Sequence, residues 1–198
     1  MIAILDYGSG NLRSAERAFQ LASDQVVVTN NPQICLEADG LVVPGVGAFA
    51  ACMAQLVNVG GDKIISDRVS NSRPIFGICV GMQIFFESSS EKGDHKGLGI
   101  VAGKISKISA PILPHMGWNT VSTPSESRLF EGIGNESFYF VHSFAAKTQV
   151  PGALNTSSNY GEDFLAAVEE ENLVATQFHP EKSGAAGAKL ISNWVKSI

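Results

Sequence analysis

Three short segments of the chain hold residue types that together make a covalent catalyst. Gly77-Ile78-Cys79-Val80-Gly81 has the form of a nucleophile elbow, with cysteine as the nucleophile. A side chain thrust out of a sharp strand-to-helix turn needs small neighbours two residues away on each side, and Gly77 and Gly81 meet that demand. Such a turn sets Cys79 at a helix N-terminus, where the macrodipole favours a thiolate. The second segment is His179-Pro180-Glu181. Pro180 biases His179 toward extended backbone, in which residues two apart share a face. Glu181 can then accept a hydrogen bond from one imidazole nitrogen and leave the other facing the thiol as base and later acid. The third segment, Pro44-Gly45-Val46-Gly47, sets two glycines around one residue, which exposes an N–H on a peptide that rotates cheaply. With the N–H groups that follow Cys79, it suits an oxyanion hole. Each segment alone also fits a plain structural role: a core cysteine, a surface His-Glu pair, a β-turn. Together they supply a nucleophile, a base and an orienter.

The elements around these segments must bring them to one place. Met1 to Leu5, Gln25 to Thr29, Gly40 to Val43 and Arg73 to Ile78 read as strands. Asn11 to Leu21, Asn31 to Leu36, Ala48 to Val57 and the stretch from the elbow through Phe86 read as helices between and after them. This alternation predicts a mostly parallel central sheet flanked by helices, with ligands at the carboxyl ends of its strands. Ser88 to Gly97 is polar and Gly-bearing and reads as a loop. From Gly103 to Val168 the pattern turns to short strands, of an antiparallel kind. Phe138 to Ala145 and Leu173 to Phe178 are the clearest strands beyond the middle, and Ala185 to Val195 is an amphipathic helix. No repeat or linker divides the chain, so one mixed α/β domain spanning 1–198 is expected.

Composition narrows the function classes. Apolar residues make up 44% of the 198 and charged residues 17%, enough for a sizeable core. The net charge is −5 and no Lys/Arg block occurs, which argues against nucleic acid or an anionic membrane as partner. The N-terminal apolar run is broken at Asp6, short of the roughly 7–15 residues of a signal-peptide core. No stretch approaches the roughly 20 residues of a membrane span. Three scattered cysteines make no disulfide framework, and a cytoplasmic location with reduced thiols is expected. Gly8-Ser9-Gly10 begins like a dinucleotide fingerprint, but Arg13 stands in place of the third glycine. Cys35 and Cys52 read as core, His95 as solvated, and His115 and His142 as structural. No spacing of His, Cys and Asp makes a metal site.

The elbow, extended through Met82-Gln83, and Phe178-His179-Pro180-Glu181-Lys182-Ser183 resemble the class I (triad) glutamine amidotransferases. Asp6 to Asn11, Leu41 to Phe49, Pro114-His115-Met116-Gly117-Trp118-Asn119 and Tyr139 to Phe144 are similar to one branch of that family, the glutaminase subunits of imidazole glycerol phosphate synthase. The resemblance covers essentially the whole chain. It implies L-glutamine as substrate, Cys79 as nucleophile, His179 as proton carrier and Glu181 as its orienter. It also implies Val46, Gly47 and Val80 as backbone donors to the oxyanion, and Gly45, Gln83, Glu91 and Ser143 as contacts to glutamine. No cofactor is implied. The implied partner is a (β/α)8-barrel cyclase forming a heterodimer with this chain, with Asn11, Trp118, Tyr139 and Lys182 near the interface. Val80 and Phe144 stand where Leu and Tyr are common in the family. Other readings are a glutaminase subunit for anthranilate, aminodeoxychorismate or pyridoxal phosphate synthesis, a non-catalytic regulatory subunit, or a free-standing cysteine hydrolase.

Overall fold

The strand–helix alternation of the first half is present in the computed structural model, which describes residues 1–198. In chain order come β1 (Ile2–Leu5), α1 (Leu12–Gln20), β2 (Val26–Thr29), α2 (Pro32–Glu37), β3 (Gly40–Gly45), α3 (Phe49–Asn58), α4 (Gly61–Ser70), β4 (Ile75–Cys79) and α5 (Val80–Gln83). The second half follows with β5 (Phe86–Ser89), β6 (His95–Lys96), β7 (Val101–Lys107), β8 (His115–Thr120), β9 (Ser137–His142) and β10 (Phe144–Ala146). It closes with β11 (Leu154–Tyr160), β12 (Glu162–Glu170), β13 (Leu173–Thr176), a 3-10 turn at Pro180–Lys182 and α6 (Gly184–Ser197).

The main sheet has the order β11-β12-β13-β4-β3-β1-β2. From β13 to β2 every neighbouring pair is parallel, whereas β12 runs antiparallel to both β11 and β13. The inner parallel strands β1, β3, β4 and β13 are buried throughout, as a sheet covered on both faces requires, while β2 at the edge is half-buried. From β1 the chain first moves outward to β2 and then returns to β3 on the other side. Such a reversal opens a crevice at the carboxyl ends of β1 and β3. Under the sheet, Phe19 of α1, Phe76 of β4 and Trp194 of α6 meet edge to face with centroids 5.3 to 6.0 Å apart, the arrangement ring quadrupoles favour.

Three expectations from sequence need correction. The helix after the elbow ends at Gln83, not Phe86, because the Ile84 and Phe85 carbonyls accept from Leu98, Ile100 and Val101 instead of from a next turn. The segment from Ser88 to Gly97 is not all loop: it carries the end of β5 and all of β6, and His95 is half-buried in that strand. β5, β6, β7 and β10 form a second sheet, and β8 with β9 a two-stranded ribbon. Finally, α4 was not expected. Its buried face is Ile64, Ile65 and Arg68, and the arginine breaks the apolar pattern.

Arg68 is fully buried. Its guanidinium donates to the carbonyls of Cys35, Leu36, Ala38, Asp39 and Pro74 at 2.6 to 3.3 Å. They lie at the end of α2 and beside β4; Ala38 O also accepts from Arg73 and Pro74 O from the Leu41 N–H, so one cation ties α2, α4 and the sheet together. Burial, then the charge of Arg73, lowers its pKa to about 10, which leaves it charged at neutral pH.

The β8–β9 ribbon carries the two buried histidines in register, His115 opposite His142. His115 is stacked on Tyr160 and on Phe140, with centroids 4.0 and 4.9 Å away. His142 Nδ1 lies 3.1 Å from the Phe144 carbonyl, which can only accept, so that nitrogen carries the proton. His142 Nε2 then accepts from His115 Nδ1 at 3.0 Å, and His115 Nε2 faces Asn119 Nδ2. Both rings are neutral in this chain. Burial holds His115 down at about 4, and burial with the neighbouring His115 holds His142 down at about 3.

Replacing Arg68 by Met strands the carbonyls of Cys35, Leu36 and Asp39 and is expected to cost about 3 kcal/mol or more in urea unfolding. A loss below about 1 kcal/mol would contradict the role given to the guanidinium. The two histidines predict an acid-sensitive fold. Between about pH 6.5 and about pH 4 the unfolded chain binds protons at both rings and the native chain at neither, so native stability falls as the pH falls. Each ring contributes a slope of about 1.4 kcal/mol per pH unit. Unfolding free energies measured across that window should flatten in a His115→Leu/His142→Leu variant; equal slopes would exclude this source.

Candidate active site

The elbow is built by close approach. Gly81 packs so tightly on β3 that a side chain there would overlap the Val43 carbonyl oxygen. A Cβ on Gly77 would lie 2.6 Å from the Phe85 ring and 2.9 Å from the Gly81 carbonyl. Between them Cys79 adopts φ 56°, ψ −111°, a strained backbone for a residue with a side chain. The spacing seen in the sequence is thus a steric necessity. The expected contribution of a helix dipole is smaller than supposed, because α5 is a single turn of four residues.

His179 follows β13 directly, and β13 is the parallel neighbour of β4, so base and nucleophile leave adjacent strands at the same edge. Its backbone is extended, at φ −101°, ψ 95°, as the following proline dictates. Glu181, however, lies in the 3-10 turn, not on a continued extended chain, and this turn brings its Oε1 to 2.7 Å from His179 Nδ1. The main chain of the histidine is pinned: its N–H donates to Tyr139 O at 2.9 Å, and its carbonyl accepts from Ser183 Oγ at 2.7 Å. Nε2 is buried without a hydrogen-bond partner, and the Cys79 thiol is the neighbour that acts on it. Burial pushes the imidazole down, but the Cys79 sulfur and the Glu181 carboxylate outweigh it and hold His179 up at about 10. That balance favours the imidazolium form of His179.

The Pro44 to Gly47 turn sits at the end of β3, against the elbow. Gly45 is buried there, and a Cβ on it would fall 2.5 Å from Gly81 N and 2.8 Å from the Tyr7 hydroxyl. Its lack of a side chain lets β3 reach the elbow. Gly47 has φ 96°, a conformation that favours glycine. The N–H of Val46, expected as an oxyanion donor, is occupied: it donates to Ser9 Oγ at 3.1 Å. Ser9 in turn donates to Val46 O at 2.9 Å, Cys52 Sγ lies 3.3 Å from the same carbonyl, and the Tyr7 hydroxyl donates to Pro44 O at 2.6 Å. Burial, then the nearby Cys52, raises the Tyr7 phenol far above its usual range, so it stays a donor.

One cavity of about 570 Å³ joins these pieces. Cys79, Val80 and His179 line it with Val46 and Gly47, and so do Gln83, Glu91 and Ser143 as well as Asn11 and Lys182. The amide nitrogen of Gln83 is spent on Phe144 O and on Gln177, which leaves its oxygen for a ligand. Glu91 accepts from the N–H of Phe49 at 2.7 Å and so caps α3 while facing the pocket. Trp118 and Tyr139 lie outside the cavity on the β8–β9 ribbon, as cross-strand neighbours in edge-to-face contact at 6.0 Å. Trp118 is 58% exposed, and Met116 beside it is 62% exposed.

Sequence reading missed Gln177, two residues before His179. It is buried, and its amide nitrogen lies 3.8 Å from Cys79 Sγ. Its place between Thr176 and Phe178 gave no distinguishing signal, since what marks it is the atom it faces. It also missed Tyr7, Ser9 and Cys52 as the clamp on the oxyanion turn. No group of three or more His, Cys, Asp or Glu side chains is placed to hold a metal ion, and no helix is long and apolar enough to cross a membrane.

Comparisons with known proteins agree with this geometry. The sequence profile of the class-I glutamine amidotransferases matches residues 3–198. The imidazole glycerol phosphate synthase subunit HisH of Nocardia farcinica is 54% identical over 206 residues, covering all of this chain and 98% of that one. The corresponding subunit of Corynebacterium glutamicum is 50% identical over 207 residues, with the same coverage. Among solved structures, a glutamine amidotransferase superposes with a TM-score of 0.79 over 98% of this chain and 97% of the other, at 16% identity. With the profile match running through both strand ends that carry the cysteine and the histidine, the chain belongs to the class I glutamine amidotransferase family.

Proposed function

We infer that this protein is the glutaminase subunit of an imidazole glycerol phosphate synthase, a single cytoplasmic domain spanning residues 1–198 that releases ammonia from L-glutamine. The observation that carries the chemistry is the convergence of Cys79 and the His179–Glu181 pair on one cavity, with His179 Nε2 left free of other partners. The choice of synthase rests on relatives about half identical over their full length.

In this reading the Cys79 sulfur attacks the side-chain amide carbon of glutamine, and the carbonyl electron pair moves onto oxygen. Imidazolium His179 gives its Nε2 proton to the leaving nitrogen, the C–N bond breaks, and ammonia departs from a γ-glutamyl thioester. Neutral His179 then takes a proton from water, the hydroxide adds to the thioester, and collapse expels the sulfur and frees glutamate. Glu181 holds the ring through Nδ1 in both halves. The N–H groups of Val80 and Gly47 face the developing oxyanion, and that of Val46 joins them once its peptide turns away from Ser9. Gln83, Glu91 and Ser143 contact the amino-acid end of glutamine.

Ammonia passes to a (β/α)8-barrel cyclase bound against the ridge of Trp118 and Tyr139, with Asn11 and Lys182 at the mouth of the cavity. Exposed Trp118 and Met116 support this face, since large apolar side chains side by side on a surface mark contact sites. Docking also supplies the cue for the Val46 peptide to turn.

Replacing Cys79 by Ala should lower glutamine-dependent synthesis by the complex on the order of 10^4-fold or more, while free ammonia still supports the partner's reaction. Survival of glutamine use would refute Cys79 as nucleophile. Trp118→Ala should weaken binding to the cyclase by about 30-fold, as expected of an aromatic anchor worth about 2 kcal/mol. An unchanged dissociation constant in calorimetry would place the interface elsewhere.

A further inference from the structure

A carbonyl that can only accept sets the direction of a hydrogen-bond chain that ends on the catalytic sulfur. The Phe144 carbonyl lies 2.8 Å from one terminal atom of the Gln83 side chain, so that atom is the amide nitrogen. The same nitrogen lies 2.9 Å from the Gln177 side chain, which must therefore present its oxygen. The Gln177 amide nitrogen is left facing Cys79 Sγ, at 3.8 Å. Turning the Gln177 amide over would set two donor groups against each other 2.9 Å apart, with no other acceptor in reach of Gln83. Both side chains are almost wholly removed from solvent, 3% exposed for Gln83 and 1% for Gln177, so water does not relieve a mismatch. The Gln177 backbone is itself fixed by its N–H on Ala166 O at 2.8 Å.

We propose that Gln177 is a catalytic residue whose amide N–H donates to the Cys79 sulfur and stabilises the thiolate, with Gln83 the positioning residue that keeps that N–H turned toward the sulfur. The proposal rests on the glutaminase reading and adds a second donor to the one the His179 imidazolium provides. A donor there favours the sulfur anion twice in each cycle: before attack on the amide carbon, and again when the thioester collapses and the sulfur leaves. The donor is neutral, so it does not compete with Glu181 for the imidazolium. It also accounts for a glutamine buried just after β13.

The test is the pH profile of Cys79 alkylation by iodoacetamide in the isolated full-length chain, read at the Cys79 peptide by mass spectrometry. Other groups act around the sulfur: His179 and Glu181 from the turn after β13, Tyr7 from the loop after β1, Cys52 from α3, and Glu91 after β5. All are unchanged in the variants compared. Gln177→Met keeps size and neutrality and removes the donor. Its profile should move to higher pH by about one unit, a tenfold lower rate on the acid limb. Gln83→Met keeps Gln177 but frees its amide to turn, and should move the profile the same way by less. Unshifted profiles in the folded variants overturn the proposal. If Gln177→Met does not fold, an unshifted Gln83→Met profile is sufficient to do so. The reagent needs neither glutamine nor a partner. Failure of wild-type glutamine hydrolysis in the complex alongside a shifted alkylation profile would therefore count against the glutaminase reading alone.

Discussion

The structure turns on the contact between Gly81 and the Val43 carbonyl. β3 and β4 are parallel neighbours, and their carboxyl ends come together only because neither Gly45 nor Gly81 carries a side chain. That closeness forces the chain to reverse within one residue after β4, and Cys79 pays with a positive φ. Reactive sulfur, first helical N–H groups and the Pro44 to Gly47 turn are adjacent because of this one approach. The two halves of the proposed covalent chemistry, Cys79 and the backbone N–H groups of Gly47 and Val80, are thus brought together by a backbone packing constraint.

The second sheet neighbour of β4 completes the site. β13 places His179 at the same edge, and the 3-10 turn that Pro180 initiates folds Glu181 back onto the ring. The imidazolium is maintained against the effect of burial by two negative partners, the sulfur and the carboxylate. The wall opposite is polar in another way: neutral amides and imidazoles linked through the Phe144 carbonyl, with every proton position dictated by that acceptor. The sulfur's environment thus combines charged groups with oriented neutral dipoles.

Much of this was legible in the sequence because its causes are local. Glycines two residues either side of Cys79 announce a steric requirement, and a proline after His179 announces a backbone conformation. Apolar runs of four to six residues between helical periods were enough to foresee the parallel sheet. What stayed hidden depends on distant partners. α4 was obscured by Arg68, whose burial makes sense only once the carbonyls of residues 35 to 39 and 74 surround it. Ile84 to Phe86 continues a helical pattern, yet the carbonyls of this stretch are claimed by residues 98 to 101. Gln177 and Ser9 look unremarkable in sequence, since what distinguishes them is the atom each one faces. The close packing of Gly45 on the elbow was likewise hidden, because its partner Gly81 is distant in the chain.

The β8–β9 ribbon has two attachments. Its outer face presents the Trp118–Tyr139 ridge, while the Tyr139 backbone holds His179 through one hydrogen bond and Ser183 through another. Residue 139 is therefore a mechanical joint: its side chain belongs to the surface, its peptide groups to the base. Any substitution that shifts the backbone at 139 therefore touches the ridge and the hydrogen bond to the His179 main chain together.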